Sequence, residues 1–189
     1  MVDLVEEALR LQEFLKSRQW KFCFIGGLAV QYWGEPRLTR DLDISLLTGF
    51  GGEATYVDEL LAAYAPRIGG VREFALARRV LLLRSPGGIG IDVSLSALPY
   101  EEGVVDRAVD VELLPGSPIR LCSPGDLIVM KVFAGREIDL RDARSVAVRQ
   151  RSRSLDWSRI EASVADLAEL KGDPEMLATL RKIRDAGES

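Results

Sequence analysis

Thr39-Arg40-Asp41-Leu42-Asp43-Ile44 alternates polar and apolar side chains, the pattern of a strand buried on one face. Residues i and i+2 of a strand point the same way. Leu42 and Ile44 therefore face a core, and Asp41 and Asp43 stand side by side on the opposite face. Two adjacent carboxylates repel each other unless a cation or a proton comes between them. The triplet alone also fits a solvated strand face with Arg40 as salt partner. A third acid changes that balance. Asp92 lies between Ile91 and Val93 in a predicted strand over 89–95, where an aspartate has little propensity of its own. If the two strands pair, Asp41, Asp43 and Asp92 converge. Such a set holds two divalent ions about 3.5–4 Å apart, the arrangement used for in-line displacement at phosphorus.

Upstream, Lys21-Phe22-Cys23-Phe24-Ile25 is a short apolar run that stops at Gly26-Gly27. It predicts a buried strand, followed at once by a short helix over 28–33. Glycines at such a junction let the backbone approach a ligand closely. The helix start offers free N–H groups and a positive dipole end to an anion such as triphosphate. The same two glycines also fit a plain strand–helix turn.

Outward from this centre, helical spacing predicts helices over 3–17 and 54–65. Strands are expected over 77–84 and 89–95, joined by Ser85-Pro86-Gly87-Gly88 as a hairpin turn. A short helix over 99–108 and strands over 109–114 and 119–122 follow. After Ser123-Pro124-Gly125-Asp126 the pattern becomes helical, over 127–134, 138–150, 158–170 and 174–186. The expected organisation is a mixed α/β core over 1–122 and a helical region over 123–189 packed on it.

Composition narrows the chemistry. The chain has 189 residues, 47% hydrophobic and 29% charged, an ordinary globular balance. Its 25 basic and 29 acidic residues give a formal charge of −4, without the overall basic charge of a non-specific nucleic-acid binder. The absence of histidine removes the commonest general base and every serine–histidine or cysteine–histidine pair. Cys23 and Cys122 belong to no C-x-x-C motif, so neither a zinc site nor a disulfide framework is indicated. Any metal is expected to be hard and oxygen-bound, magnesium or manganese. The opening MVDLVEEALR carries acids and no cleavable apolar segment, and no apolar run reaches the ~20 residues that span a membrane. The expectation is a soluble cytoplasmic protein with no membrane association.

Ile25-Gly26-Gly27, Thr39-Arg40-Asp41-Leu42-Asp43-Ile44 and Ile91-Asp92-Val93 together resemble the pattern of the polymerase-β-like nucleotidyltransferase superfamily. Asp41 comes fourteen residues after Gly27, at the long end of that pattern. The segment Ser123 to Lys131, with Ala134-Gly135-Arg136 and Asp139 to Asp142, is similar to the helical region of AbiEii-type and related small prokaryotic nucleotidyltransferases. The resemblance runs from about Phe22 to Ala147. It implies an α+β fold, the minimal nucleotidyltransferase mixed sheet with flanking helices and a C-terminal helical bundle. It further implies that Gly26 and Gly27 bind the triphosphate and that Asp41 and Asp43 hold the metals. Asp92 would complete the metal site and help deprotonate an acceptor hydroxyl. Many members carry a serine at the second turn position, whose hydroxyl meets phosphate. Gly27 has none, so phosphate contacts would rest on backbone N–H groups. Arg40 is a further nucleotide-binding candidate.

The helical region adds candidates with two readings each. Lys131 either neutralises phosphate charge or is a solvated helix lysine. Asp139 and Asp142 share a helix face. Asp139 contacts nucleotide, orients Lys131 or pairs with a nearby arginine; Asp142 is expected to pair structurally. Arg141, Arg144, Arg149, Arg151 and Arg153 form a basic stretch that reads as a solvated helix end ahead of a footprint for RNA or another polyanion. Trp20, Trp33 and Trp157 read as core or rim aromatics.

The expected reaction moves a nucleoside monophosphate from an NTP to a hydroxyl acceptor on a small molecule, a protein or a tRNA end. A rival is a non-catalytic nucleotide- or partner-binding protein of the same fold, such as a toxin–antitoxin component. A haloacid-dehalogenase-type phosphatase also carries a D-x-D, but directly after its first strand. Here a helix, a strand and two glycines come first.

Overall fold

The computed structural model describes residues 2–151 and 155–188. They form two compact units. The first comprises Met1–Leu28 and Leu38–Cys122, and the second comprises Ala29–Arg37 and Ser123–Ser189. The chain changes unit at Ser123, and the short segment 29–37 groups with the C-terminal helices.

In the first unit, α1 (Val2–Ser17) turns Leu4, Val5, Ala8, Leu11 and Leu15 to one buried face. β1 (Phe22–Ile25) follows, and α2 (Gly26–Trp33) begins directly after it, with Ala29 onward belonging to the second unit. β2 (Asp41–Leu47) and α3 (Glu53–Ala63) come next, then a two-residue edge strand, β3 (Ala65–Pro66). α4 (Val71–Arg78) leads into the β4 (Val80–Arg84) and β5 (Gly90–Ser96) hairpin. α5 (Pro99–Asp106), β6 (Val109–Leu114) and β7 (Ser117–Leu121) complete the unit.

The strands form one mixed sheet in the order β3-β4-β5-β2-β1-β7-β6. β2 runs antiparallel to β1 and parallel to β5. Leu42, Ile44 and Leu46 of β2, with Ile91, Val93 and Leu95 of β5, are at most 2% exposed and make the core-facing side. The mixed sheet and flanking helices agree with the expected α+β class.

The expected strand over 77–84 is shorter, because Ala77 and Arg78 end α4. Val71 and Ala75, one turn apart, bury that helix's apolar edge. Arg79 stops it in the left-handed region at φ 56°, which costs a non-glycine residue roughly 1–2 kcal/mol. Its guanidinium offsets the strain by pairing with Glu53 and donating to the carbonyls of Gly49 and Leu95.

The second unit holds α6 (Pro124–Ala134), α7 (Glu137–Gln150), α8 (Trp157–Lys171) and α9 (Glu175–Glu188). Ser123 caps α6 by accepting the Asp126 N–H, with Pro124 at the first helical position, where its missing N–H has no cost. Leu127, Ile128 and Val132 of α6, Val146 of α7, Ile160 and Val164 of α8, and Leu180 of α9 are buried. Asp126 has no exposed surface and is paired with Arg159 at 2.8 Å. No described helix is long and apolar enough to cross a membrane.

Candidate active site

The register of β2 on β5 puts the D-x-D triplet beside the third acid. Asp43 lies directly opposite Asp92, and Asp41 lies opposite Gly90. Laterally paired residues of adjacent strands share a face. Asp41, Asp43 and Asp92 therefore stand on the side of the sheet opposite Leu42, Ile44, Ile91 and Val93. The pairing on which their convergence depends is the observed β2–β5 ladder.

Gly26 and Gly27 lie at the β1–α2 junction, next to Asp43. Gly26 has φ 60°, a left-handed conformation suited to glycine. A Cβ there would collide with the Asp43 carboxylate, so that carboxylate lies directly over the glycine backbone. The Gly27 N–H points to Asp43 Oδ2 at 3.4 Å. A Cβ on Gly27 would overlap the Thr39 hydroxyl, which itself donates only a long 3.4 Å bond to the Asp41 carbonyl. Arg40 is exposed, immediately before β2.

A group that sequence reasoning does not find lies between two of the acids. The Arg67 guanidinium reaches Asp41 Oδ1 at 3.5 Å through Nη1 and pairs with Asp92 Oδ1 through Nη2. Arg67 follows β3, and its backbone N–H bonds the Leu82 carbonyl of β4 at 3.0 Å. The side chains of Asp41, Asp92 and Arg67 are 53%, 35% and 20% exposed. Burial pushes the Asp92 carboxyl above the ordinary carboxylate range; the Arg67 charge opposes that rise and the Asp41 charge adds to it. Among the described residues no three acidic or cysteine side chains are drawn together as a ready-made metal cage. Two of the three acids, Asp41 and Asp92, instead share a guanidinium. Their donors are all oxygens, the chemistry that magnesium and manganese take, and the bridging guanidinium marks where positive charge is accepted.

The fold can be placed against known structures. The chain is similar to an antigenic nucleotidyltransferase-like protein from Paracoccidioides brasiliensis, at 17% identity and a TM-score of 0.53, covering 97% of this chain and 92% of that one. The chain has the nucleotidyltransferase fold. It is also similar to the antibiotic-resistance factor ANT(2'')-Ia, at 15% identity and a TM-score of 0.54, covering 92% of this chain and 94% of that one. No family model and no curated protein matches the sequence. The nucleotidyltransferase fold thus rests on three-dimensional likeness, while the site rests on this chain's own residues.

The other candidates lie in the second unit. Lys131 of α6 is 7% exposed, and its Nζ is 2.7 Å from Asp139 and 3.0 Å from Asp142. Arg37 grips Asp142 with two bonds of 2.9 and 2.8 Å, and Arg136 pairs with Asp139. Burial works against ionisation of both aspartates. Hydrogen bonds from Arg136 and Lys131 nonetheless lower Asp139, and those from Arg37 and Lys131 lower Asp142. The ammonium is therefore engaged within a buried ion network rather than solvated on a helix surface. In the basic stretch, Arg149 donates to the Gly34 carbonyl, and Arg141 lines a mixed-charge cleft with Glu35, Arg37 and Asp142. Arg153 lies outside the described residues. Trp33 is buried; Trp20 packs on Tyr56 with ring centroids 4.7 Å apart.

Proposed function

We propose that this chain transfers a nucleoside monophosphate from an NTP to a hydroxyl acceptor and releases pyrophosphate. The observation that carries the reading is the β2–β5 register, which sets Asp43 against Asp92, with Asp41 on the same face and Gly26-Gly27 alongside. In this reading the backbone N–H groups at the start of α2 receive the triphosphate, and Arg40, exposed immediately before β2, is a further nucleotide contact. Asp92 accepts the proton of the acceptor hydroxyl, and its raised pKa suits a group that must take up a proton. The acceptor oxygen then bonds to the α-phosphorus, and the bond from that phosphorus to the β-phosphate oxygen breaks, freeing pyrophosphate. Asp41, Asp43 and Asp92 are the residues that would hold magnesium or manganese, which supplies charge neutralisation to the phosphoryl oxygens and the leaving group.

The test is transfer of label from α-³²P NTPs in the presence of magnesium, with RNA, protein and small hydroxyl compounds offered as acceptors. Label should move with the wild type and not with Asp41→Asn. Equal labelling by both proteins rejects the assignment. A second reading, a nucleotide-binding protein without transferase activity, is favoured by one observation: Arg67 already occupies two of the carboxylates. Tight magnesium-dependent NTP binding with no transfer to any acceptor supports that reading instead.

A further inference from the structure

We propose that Arg67 is the internal counter-cation of this site, holding Asp41 and Asp92 in place before metal arrives and leaving Asp92 when metal binds. The proposal rests on the metal-dependent reading above and adds a positioning residue to it. Three observations support it. The guanidinium contacts two of the three acids at once, Asp41 through Nη1 and Asp92 through Nη2. It is only 20% exposed and its pairing with Asp92 is partly buried, while the longer contact with Asp41 is open to solvent. Gly90 also leaves room for it: a Cβ at that position would collide with both Asp41 Oδ1 and Arg67 Nη1. A side chain at residue 90 would thus close the niche in which carboxylate and guanidinium meet.

The physical logic is competition for one negative site. Without a cation, the like charges of Asp41 and Asp92 repel each other, and the guanidinium in contact with both offsets that repulsion. A divalent ion on the same carboxylates would face that fixed positive charge at close range. Metal loading therefore exchanges guanidinium for metal, and Arg67 sets the metal affinity as well as the order of the empty site. The β3 strand and the Arg67 N–H bond to Leu82 anchor the backbone, so the exchange needs side-chain motion alone.

Manganese titration by calorimetry, with no nucleotide present, tests this directly. Arg67→Gln should bind Mn²⁺ more tightly than the wild type by about ten-fold or more, since a like charge beside the ligands is removed. Arg67→Lys keeps the charge without the planar fork and should fall between them. Without metal, Arg67→Gln should melt below the wild type, and saturating Mn²⁺ should narrow that gap. Equal or weaker Mn²⁺ binding by both Arg67 variants, while Asp92→Asn abolishes binding, overturns the exchange and leaves the metal site standing. Absence of Mn²⁺ binding by the wild type overturns the metal site and the exchange together.

Discussion

Replacing Lys131 with methionine keeps the unbranched side chain to within one atom of its length and removes its charge. Lys131 is 7% exposed and serves two carboxylates that are themselves 1% and 3% exposed. Removing one partner of a buried ion pair costs about 3–5 kcal/mol, because the remaining charge is left uncompensated. Here each aspartate keeps an arginine, Arg136 on Asp139 and Arg37 on Asp142, so the lower end applies. A loss of about 3 kcal/mol in a chain of this size lowers the melting temperature by roughly 6–12 °C. Thermal unfolding at neutral pH, followed by circular dichroism, reads this directly. A fall of less than about 1 kcal/mol, roughly 2–4 °C, together with weakened NTP binding would refute the scaffold role. The ammonium would then belong to the ligand.

Gly26→Ala places a Cβ on the Asp43 carboxylate and forces alanine to φ 60°. The backbone strain alone is about 1–2 kcal/mol. Metal and NTP affinity should fall further than stability does, and calorimetry beside thermal melting separates the two. The pH dependence follows from Asp139 and Asp142, whose folded pKa values are lowered. The unfolded chain then binds more protons, so their stabilisation is complete above the ordinary carboxylate value of about 3.9 and is lost as pH falls through the lowered folded values. Urea unfolding should show a drop below about pH 4 that flattens in the Asp139→Asn, Asp142→Asn protein.

The alternation in 39–44 and the isolated aspartate in 89–95 are enough to propose two strands with acids on one face. Strand propensity and side-chain period are local properties, and both survive in the fold. The register that puts Asp43 opposite Asp92 is not local. It depends on how β1 and the β4–β5 hairpin settle around β2, and no short pattern encodes that. Arg67 is illegible for the same reason. It lies 25 residues from Asp92 in the chain and reaches it only because β3 pairs at the edge of β4. The segment 65–78 carries no strong apolar period, so α4 and β3 escape a reading by pattern. For Asp139 and Asp142 the spacing shows a shared helix face. Whether that face is wet or buried depends on α6 packing against α7, and in the fold it is a buried pair around Lys131.

Anomalous diffraction from crystals grown with Mn²⁺ and a non-hydrolysable NTP would locate any metal without reference to an acceptor. A peak about 2.1 Å from carboxylate oxygens of Asp43 and at least one of Asp41 and Asp92, with phosphate at the Gly26-Gly27 backbone, is the expected result. Manganese and triphosphate both ordered elsewhere, with Arg67 still bridging Asp41 and Asp92, would contradict it.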